Sequence, residues 1–591
     1  MLRTEVADNR KWKIEHIFKS LKEWNDLYEK TEKSIDFKGY EGKLADKSLF
    51  KACYDAVYAL SADIEKLVVY AFMRHDEDTR NSEFNALLTK SEILETKFFS
   101  AISFVTPELT SLEEKIILSY IADPDLKDYD YELKQILAGK KHVLSKETEG
   151  VLSLGAQVLG GFKDIFGMID NADLPFPTVK VDGKKVVVTH GTYGVLMQHP
   201  DRAVRKATFK AYYKAYESML NVITATYTGL VNKDVFLSRA RKYDGCLNAA
   251  LESEDVSPKV YENLLNSVHS SLPALHSYVR MKKRALGLKS MHMFDMYLPI
   301  VENSEMKLDY EDAFKVVKDG LAPLGEKYQE LLQDAHDDGW IDVEETDGKR
   351  SGAYSIGVYA LKHPYVLLNY KPTTNNVFTI AHELGHAMHT YFSNANQPIS
   401  KANYRIFVAE VASTVNEVLL LKYLIQKTED KNLKRYLLSY YADMIKSTLF
   451  RQTQFAEFEY LAHKSVEDGT PLTKDSLNAI YYDLNKKYYG KSVVSDREIA
   501  FEWARIPHFY NAFYVYKYAT GITAAISIAE RIYKNGESAV KDYFKFLSSG
   551  GSDSPVELLK LSGVDLTKKE PFKVAMDSFK NAVKEFEELS K

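Results

Sequence analysis

Residues 382 to 386 read His-Glu-Leu-Gly-His, and their types and spacing suit metal-assisted hydrolysis. On an α-helix, His382 and His386 stand about one turn apart on the same face, so both imidazoles can bind one metal ion. Zinc is the usual occupant of this pattern, and a catalytic zinc ion takes three protein ligands and leaves one position for water. Glu383 is then held beside the metal as a potential general base, and the bound water becomes acidic enough to attack a carbonyl group near neutral pH.

The third ligand must come from elsewhere in the chain. A pattern that adds a glycine and a third histidine is excluded, because its positions hold His389 and Phe392. Glu410 lies in the apolar run 406–412, where an unpaired carboxylate is costly to bury unless a cation compensates it. We therefore expect Glu410 to be the third ligand, and Glu417, two helical turns later, to accept the spare N–H of a ligand histidine. His389 is interpreted as a packing or orienting residue rather than a ligand.

Three short segments with strand-like composition lie directly before the motif. Trp340–Val343, Ala353–Tyr359 and Tyr365–Tyr370 are predicted to be β-strands. An edge strand beside a metal site can hold an extended peptide through backbone hydrogen bonds, largely independent of its side chains. The alternative is a small sheet that only supports the helix. His363, in the connection before the last segment, is interpreted as structural.

Helical periodicity dominates the rest of the chain, and it predicts helices over 11–31, 45–75, 80–105, 110–121 and within 200–288. Thr178–Val181 and Lys184–Thr189 flank Asp182-Gly183, a sequence typical of a two-residue hairpin turn. We place a boundary near this hairpin. It divides a helical N-terminal region, residues 1–190, from a catalytic region, residues 191–591.

Composition excludes several classes of function. At 591 residues the chain is too long for one compact core. Its net charge of −5 gives no basic footprint for nucleic acid, and no obligate protein partner is indicated. No apolar run reaches the roughly 18 residues that span a bilayer, and no secretory signal is recognisable, so no membrane association is expected. The two cysteines, Cys53 and Cys246, form no disulfide framework, which fits a cytoplasmic location.

The metal motif and its surroundings resemble the M3 family of zinc oligopeptidases, and within it the oligopeptidase F branch. The resemblance rests on His382–His389 and on Glu410 within Phe-Val-Ala-Glu-Val-Ala-Ser, followed by Asn416-Glu417. Similar stretches elsewhere extend it over nearly the whole chain: Trp12–Ile14, His199–Arg202, Ala240–Asp244, Arg505–Tyr510 and Phe513–Tyr516.

This resemblance implies a mainly α, large multi-helical zinc metallopeptidase. Its catalytic region would be zincin-like with a small β-sheet, and it would enclose a substrate channel. The implied activity is a zinc-dependent oligoendopeptidase that hydrolyses internal bonds of short peptides. One Zn²⁺ per chain would be held by His382, His386 and Glu410, with Glu383 as the general base, although Co²⁺ or Mn²⁺ accept the same ligands.

The resemblance also implies a role for the polar aromatic segment from His508 to Gly521. A histidine and one or more tyrosines there would donate hydrogen bonds to the oxyanion that forms during hydrolysis. His508 and Tyr514 are the expected catalytic donors, and Tyr510 and Tyr518 are expected to bind substrate. If the segment is helical, Tyr514 and Tyr518 share a face. Which tyrosine is the donor stays open, because their spacing departs from the better-known branch, and each could instead be core packing.

Two other functions remain open at this point. The same zinc chemistry could serve a deacylase or amidase that acts on small non-peptide amides. A non-catalytic helical protein that holds zinc for structure is the other alternative. Structural zinc sites usually have four protein ligands and favour cysteine, whereas both cysteines lie far from the motif.

Overall fold

The computed structural model describes residues 1–301 and 306–591 and confirms a mainly α-helical protein. Short strands are present at β1 (Thr178–Val181), β2 (Lys184–Val187), β3 (Ile341–Asp342), β4 (Tyr354–Ile356) and β5 (Tyr365–Leu367). The α-helices are α1 (Leu21–Ser34), α2 (Lys47–Glu77), α3 (Ser82–Ala101), α4 (Val105–Ser111), α5 (Glu114–Ile121), α6 (Asp130–Gly139), α7 (Lys146–Met168), α8 (His190–Leu196), α9 (Arg202–Ala240), α10 (Cys246–Ser253), α11 (Pro258–Ala285), α12 (Tyr310–Gly320), α13 (Glu326–Asp337), α14 (Thr374–Asn396), α15 (Ile399–Ala402), α16 (Ile406–Lys427), α17 (Lys431–Ile445), α18 (Gln452–Glu467), α19 (Lys474–Tyr489), α20 (Tyr516–Asn535), α21 (Glu537–Leu547), α22 (Pro555–Leu561) and α23 (Glu570–Leu589).

The chain forms two compact units, each assembled from three separate stretches of sequence. The first unit comprises Met1–Val143, Met306–Tyr423 and Ile528–Val564, and the second comprises Leu144–Glu305, Leu424–Ser527 and Asp565–Lys591. The boundary predicted near residue 190 falls within the second unit. The functional division that it describes stays a prediction.

One hydrophobic core of the first unit is built by the segment before α1, by α1 to α6 and by β5. Trp24 on α1 is fully buried, and its indole N–H donates to the carbonyl of Leu67 at 3.0 Å. The helix predicted over 11–31 is wrong in its first half, because α1 begins only after its N-cap Ser20. Residues before it are held in a different conformation, since the backbone N–H of Lys13 donates to the carbonyl of Gly339 at 2.8 Å.

The other helix predictions differ from the structure mainly at their ends. Helices α2 and α3 confirm the segments predicted over 45–75 and 80–105, and α9 to α11 confirm those within 200–288. The predicted helix 110–121 is interrupted near Leu112, which is extended between α4 and α5. In the second unit β1 and β2 pair in antiparallel register, and both turn residues, Asp182 and Gly183, have positive φ as a tight hairpin requires.

The three strands before the metal motif are confirmed, although each is shorter than predicted. They form one sheet of the first unit in the order β3-β5-β4, with β3 parallel and β4 antiparallel to β5. Strand β4 is therefore an edge strand within the part of the chain that the structure describes. Helix α14, which carries the motif, follows β5 directly and packs against β4 and β5.

Among the described residues, no helix combines the length and apolar character needed to cross a bilayer. Cys53 in the first unit and Cys246 in the second are both buried and free.

Candidate metal centre

Helix α14 of the first unit carries the His-Glu-Leu-Gly-His motif. The hydroxyl of Thr373 caps its first turn by accepting the backbone N–H of Asn376 at 3.3 Å. The helix buries Val377, Ile380 and Leu384 on its apolar side, which anchors the motif. The imidazoles of the two motif histidines are only partly buried, so an ion can reach them.

Gly385 explains how a second helix comes close enough to add the third ligand. A Cβ atom at this position would lie 2.5 Å from the Cα of Ser413 and 2.7 Å from the carbonyl oxygen of Ala412 on α16. Only glycine therefore permits this approach of α14 and α16. Buried Asn416 fixes the contact, because its amide donates to the carbonyl of Ala381 at 3.0 Å.

The close packing brings His382, His386 and Glu410 together, and we call these three residues the helical site. The two Nε2 atoms are 3.2 Å apart, and the Glu410 Oε2 lies 3.4 Å and 3.5 Å from them. Ligand atoms on a tetrahedral zinc ion are separated by about 3.3 Å for bonds of about 2.0 Å. The three side chains therefore fit one zinc ion, and they leave a coordination position open for water.

Glu417 lies two helical turns beyond Glu410 on α16, and it orients His382. Its carboxylate accepts the Nδ1–H of His382, which directs Nε2 at the site. Burial opposes a charge on His382, but hydrogen bonds to Glu410 and Glu417 outweigh it and raise the pKa of the imidazole to about 10. The carboxylates thus create a negative potential at the imidazoles, which favours a bound cation.

Glu383 differs from the ligands in its burial. Its side chain is 7% exposed, and burial raises the pKa of the carboxyl above its ordinary value despite the opposing effect of the two motif histidines. A carboxylate with a raised pKa is a stronger base, which suits proton transfer near neutral pH. His389 has a packing environment, since its ring is fully buried and stacks on Tyr404 at a centroid distance of 3.7 Å.

The polar aromatic segment belongs to the second unit, where three of the predicted residues form a cluster. The Tyr518 hydroxyl and the His508 Nε2 are 3.4 Å apart, and the Tyr514 ring centroid is 5.5 Å from that of Tyr518. The segment is not one continuous helix, because α20 begins at Tyr516 and His508 lies in a separate 3-10 turn. Tyr514 and Tyr518 nevertheless face each other.

A strained backbone shapes this segment just before Tyr514. Phe513 has a φ of 55°, a conformation that costs energy for a residue with a side chain. Its backbone N–H donates to the Oε1 of Glu459 at 3.0 Å, and Glu459 is completely buried. Burial raises the pKa of Glu459 well above its ordinary value, and its Oε1 holds the turn as a hydrogen-bond acceptor.

Tyr510 has different surroundings from the other tyrosines of the segment. Its ring is buried and stacks on Phe166 at a centroid distance of 4.2 Å with an interplanar angle of 18°. Its predicted contact with substrate stays a prediction.

Gly385, Asn416 and Glu459 have positions in the structure that the sequence did not predict. Gly385 lies inside the motif that was interpreted through its two histidines. A glycine within a helix is, however, a signal of close packing. Asn416 and Glu459 sit in apolar helical stretches, where a lone polar residue needs a buried partner. That partner is distant in sequence and becomes visible only in the fold.

Comparison with known proteins gives matches over nearly the whole chain. The family described as "Peptidase family M3" matches residues 195–578, and the one described as "Oligopeptidase F" matches residues 108–176. "Oligopeptidase PepF" of Bacillus subtilis (strain 168) is 41% identical over 593 residues, which cover 99% of this chain and 88% of that protein.

Solved structures agree with these matches. A crystal structure from Chlamydophila abortus has a TM-score of 0.94 at 35% identity and covers 100% of this chain and 99% of that chain. Oligoendopeptidase-F from Enterococcus faecium has a TM-score of 0.73 at 34% identity, with coverage of 96% and 98%.

Proposed function

This chain belongs to peptidase family M3, in its oligopeptidase F branch, and is a metalloendopeptidase; from that premise we propose that it hydrolyses internal bonds of short peptides with one zinc ion held at the helical site. The observation that carries this proposal is the spacing of the three donor atoms, 3.2, 3.4 and 3.5 Å. It matches the spacing that a tetrahedral zinc ion requires.

The chain's own groups have distinct tasks in the proposed reaction. A zinc ion at this site would polarise the scissile carbonyl and lower the pKa of the attacking water. Glu383, whose raised pKa makes it a competent base, accepts a proton from that water and then delivers it to the leaving amine. Glu417 holds His382 in the orientation that directs Nε2 at the ion.

His508 and Tyr514 are proposed to donate to the oxyanion, with Tyr518 and Tyr510 as substrate contacts. An imidazole N–H and a phenol O–H are both suitable donors for a developing negative charge. The mutual contacts of His508, Tyr514 and Tyr518 support their action as a set. This role is inferred from the resemblance and from the chemistry of the side chains.

Strand β4 is the proposed binding site for the substrate backbone. It pairs with β5 on one side only within the described residues, so its other edge offers backbone donors and acceptors. An extended peptide would add to this edge without strict side-chain selection. The resemblance further implies an enclosing helical channel, which would admit short flexible peptides and exclude folded proteins.

Two further expectations are retained as proposals. The first is the division into a helical region, residues 1–190, and a catalytic region, residues 191–591. The helical site and the aromatic segment both fall in the catalytic region. The other is a cytoplasmic location, which rests on the free thiols of Cys53 and Cys246.

Assays with defined substrates test the proposal. Internally quenched peptides of roughly 5 to 20 residues, about 17 to 70 Å when extended, should be cleaved at internal bonds. A chelator should abolish cleavage and zinc should restore it, while acylated amino acids and a folded protein should remain intact. Faster turnover of an acylated amino acid than of every peptide, or digestion of the folded protein, would contradict the proposal.

A further inference from the structure

Three segments of the first unit that are remote in sequence meet beside the β3-β5-β4 sheet. They are the 3-10 turn Ile14–His16, the end of α13 leading into β3, and the connection before β5. The bond from Lys13 N–H to the Gly339 carbonyl joins the first two segments. Gly339 has a φ of 69°, and a Cβ added there would lie 2.4 Å from the Lys13 Cγ, so the segments are closely packed.

This junction gathers two imidazoles and a carboxylate. The His16 Nδ1 and the His363 Nε2 are 3.2 Å apart, the same separation as the two nitrogens of the helical site. The ligand atoms of His16, Asp338 and His363 all lie within 4.8 Å of one another. Two imidazoles and a carboxylate are a common set of protein ligands for zinc.

His363 is held in the orientation that a metal ligand needs. Its Nδ1 donates to the carbonyl of Pro364 at 2.9 Å, so its Nε2 carries the lone pair that faces His16. Its ring stacks on Trp340 at a centroid distance of 4.6 Å and an interplanar angle of 2°.

We propose that His16, Asp338 and His363 form a second zinc site, which we call the loop site, with water completing the coordination. His16 and Asp338 are exposed, so an ion can enter without unfolding the unit. The ammonium of Lys13 lies 3.3 Å from the Asp338 Oδ1, but both groups are well exposed and such pairs are weak.

A bound ion at the loop site ties the N-terminal segment to the connections before β3 and β5. It therefore stabilises the sheet that precedes α14, and its role is structural. Because the ion binds the folded state and the ligands are dispersed on unfolding, zinc raises the thermal midpoint of the protein.

Zinc content measured after dialysis against excess zinc tests this proposal in a His382→Ala/His386→Ala background. That background removes the helical site, so the result does not depend on the proposed peptidase mechanism. It should retain one zinc ion per chain, and adding His16→Ala or Asp338→Asn should remove that ion. His336→Ala is the matched control, because His336 also contacts two carboxylates, those of Glu311 and Asp337.

The outcomes separate a metal site from a simple hydrogen bond between two imidazoles. Loss of the ion in both loop-site variants but not in His336→Ala, with a zinc-dependent rise in thermal midpoint lost in parallel, supports the loop site. Absence of zinc from the background protein overturns it, as does an ion that survives both loop-site substitutions. Circular dichroism of each variant, compared with the background, identifies any loss of fold.

Discussion

The helical site and the loop site share a spacing of 3.2 Å between imidazole nitrogens, yet their surroundings differ. Beside the ligands of the helical site lies Glu383, a buried carboxylate with a raised pKa. Beside the loop site lies the ammonium of Lys13. A base next to an activated water supports hydrolysis, whereas a cation does not. Similar ligand sets therefore suit different proposed roles, catalysis at the helical site and stabilisation at the loop site, and the neighbouring charged group makes the difference.

The orienting groups differ in the same way. In the helical site a carboxylate, Glu417, accepts the N–H of a ligand histidine, which adds negative charge. In the loop site a neutral carbonyl, that of Pro364, has this task. The charged partner makes its histidine more basic, and a more basic imidazole binds a cation more strongly.

The largest expected effect separates the two sites by function. His386→Ala should remove one zinc ion and reduce turnover roughly 10³-fold or more, because zinc contributes several kcal/mol to this chemistry. His16→Ala should remove the other ion and leave kcat unchanged. Zinc analysis and peptide assays on both proteins check this. An inactive but folded His16→Ala protein would contradict the claim that only the helical site is catalytic.

A buried carboxylate without a metal provides a third case for comparison. In the second unit Glu502 accepts hydrogen bonds from Arg451 at 2.6 Å, Arg505 at 2.7 Å and Tyr481 at 2.5 Å. Burial alone would raise its pKa, but the two guanidinium groups lower the pKa of Glu502 to about 2. Glu502→Gln should therefore reduce the free energy of unfolding by about 3–5 kcal/mol, because two partly buried guanidinium groups lose the charge of their buried partner.

The pH dependence of that loss has a definite sign. The folded pKa of Glu502 lies below the unfolded value of about 4.3, so its stabilisation is present above that value. It is lost as the pH falls towards 2. Denaturant titrations from neutral to acidic pH should show the two proteins converging in stability, and a constant gap would contradict the assigned ion pairs.

Tyr514→Phe tests whether the aromatic cluster acts in catalysis. Removing the hydroxyl should lower kcat roughly 10²- to 10³-fold with little change in KM, because the donor acts mainly in the transition state. Tyr518→Phe, measured beside it, decides which of the two tyrosines is the donor, since each variant removes one hydroxyl and keeps the same ring pair. If both variants and His508→Ala retain wild-type kcat at full zinc content, the cluster is packing.

The smallest effect concerns the orienting carboxylate. Glu417→Ala should weaken zinc binding at the helical site roughly 10- to 100-fold, as other orienting partners of metal ligands do. Glu417→Gln should recover part of this affinity, because its amide oxygen still accepts the His382 N–H without the charge. Competition with a calibrated chelator measures both, and equal affinity in all three proteins would remove Glu417 from the site.

The two sites also show what sequence can and cannot predict. His382, Glu383 and His386 form a local pattern because one helix carries them, and Glu410 was recognisable as a carboxylate in an apolar run. The loop site has no such pattern, since His16 and Asp338 are far apart in sequence and each looks like an ordinary surface residue. His363 was interpreted as structural, and its stacking on Trp340 could not be predicted from its place in a connection.

Fold predictions had the same limits. Helix periods and the Asp182-Gly183 turn were readable because they depend on neighbours in sequence. The start of α1 was not, because a long-range bond from Lys13 to Gly339 holds the preceding segment. Nor was the start of α20, because buried Glu459 holds the turn at Phe513.

The central claim is that zinc binding and catalysis reside in the same motif but in different side chains. Zinc content and kcat measured together on Glu383→Gln and His382→Ala test it most directly. Glu383→Gln should keep the zinc content of the wild-type protein and lose turnover by roughly 10²- to 10⁴-fold, because only the proton acceptor is removed. His382→Ala should lose both one zinc ion and turnover. A Glu383→Gln protein with wild-type kcat and full zinc content would contradict the proposed mechanism.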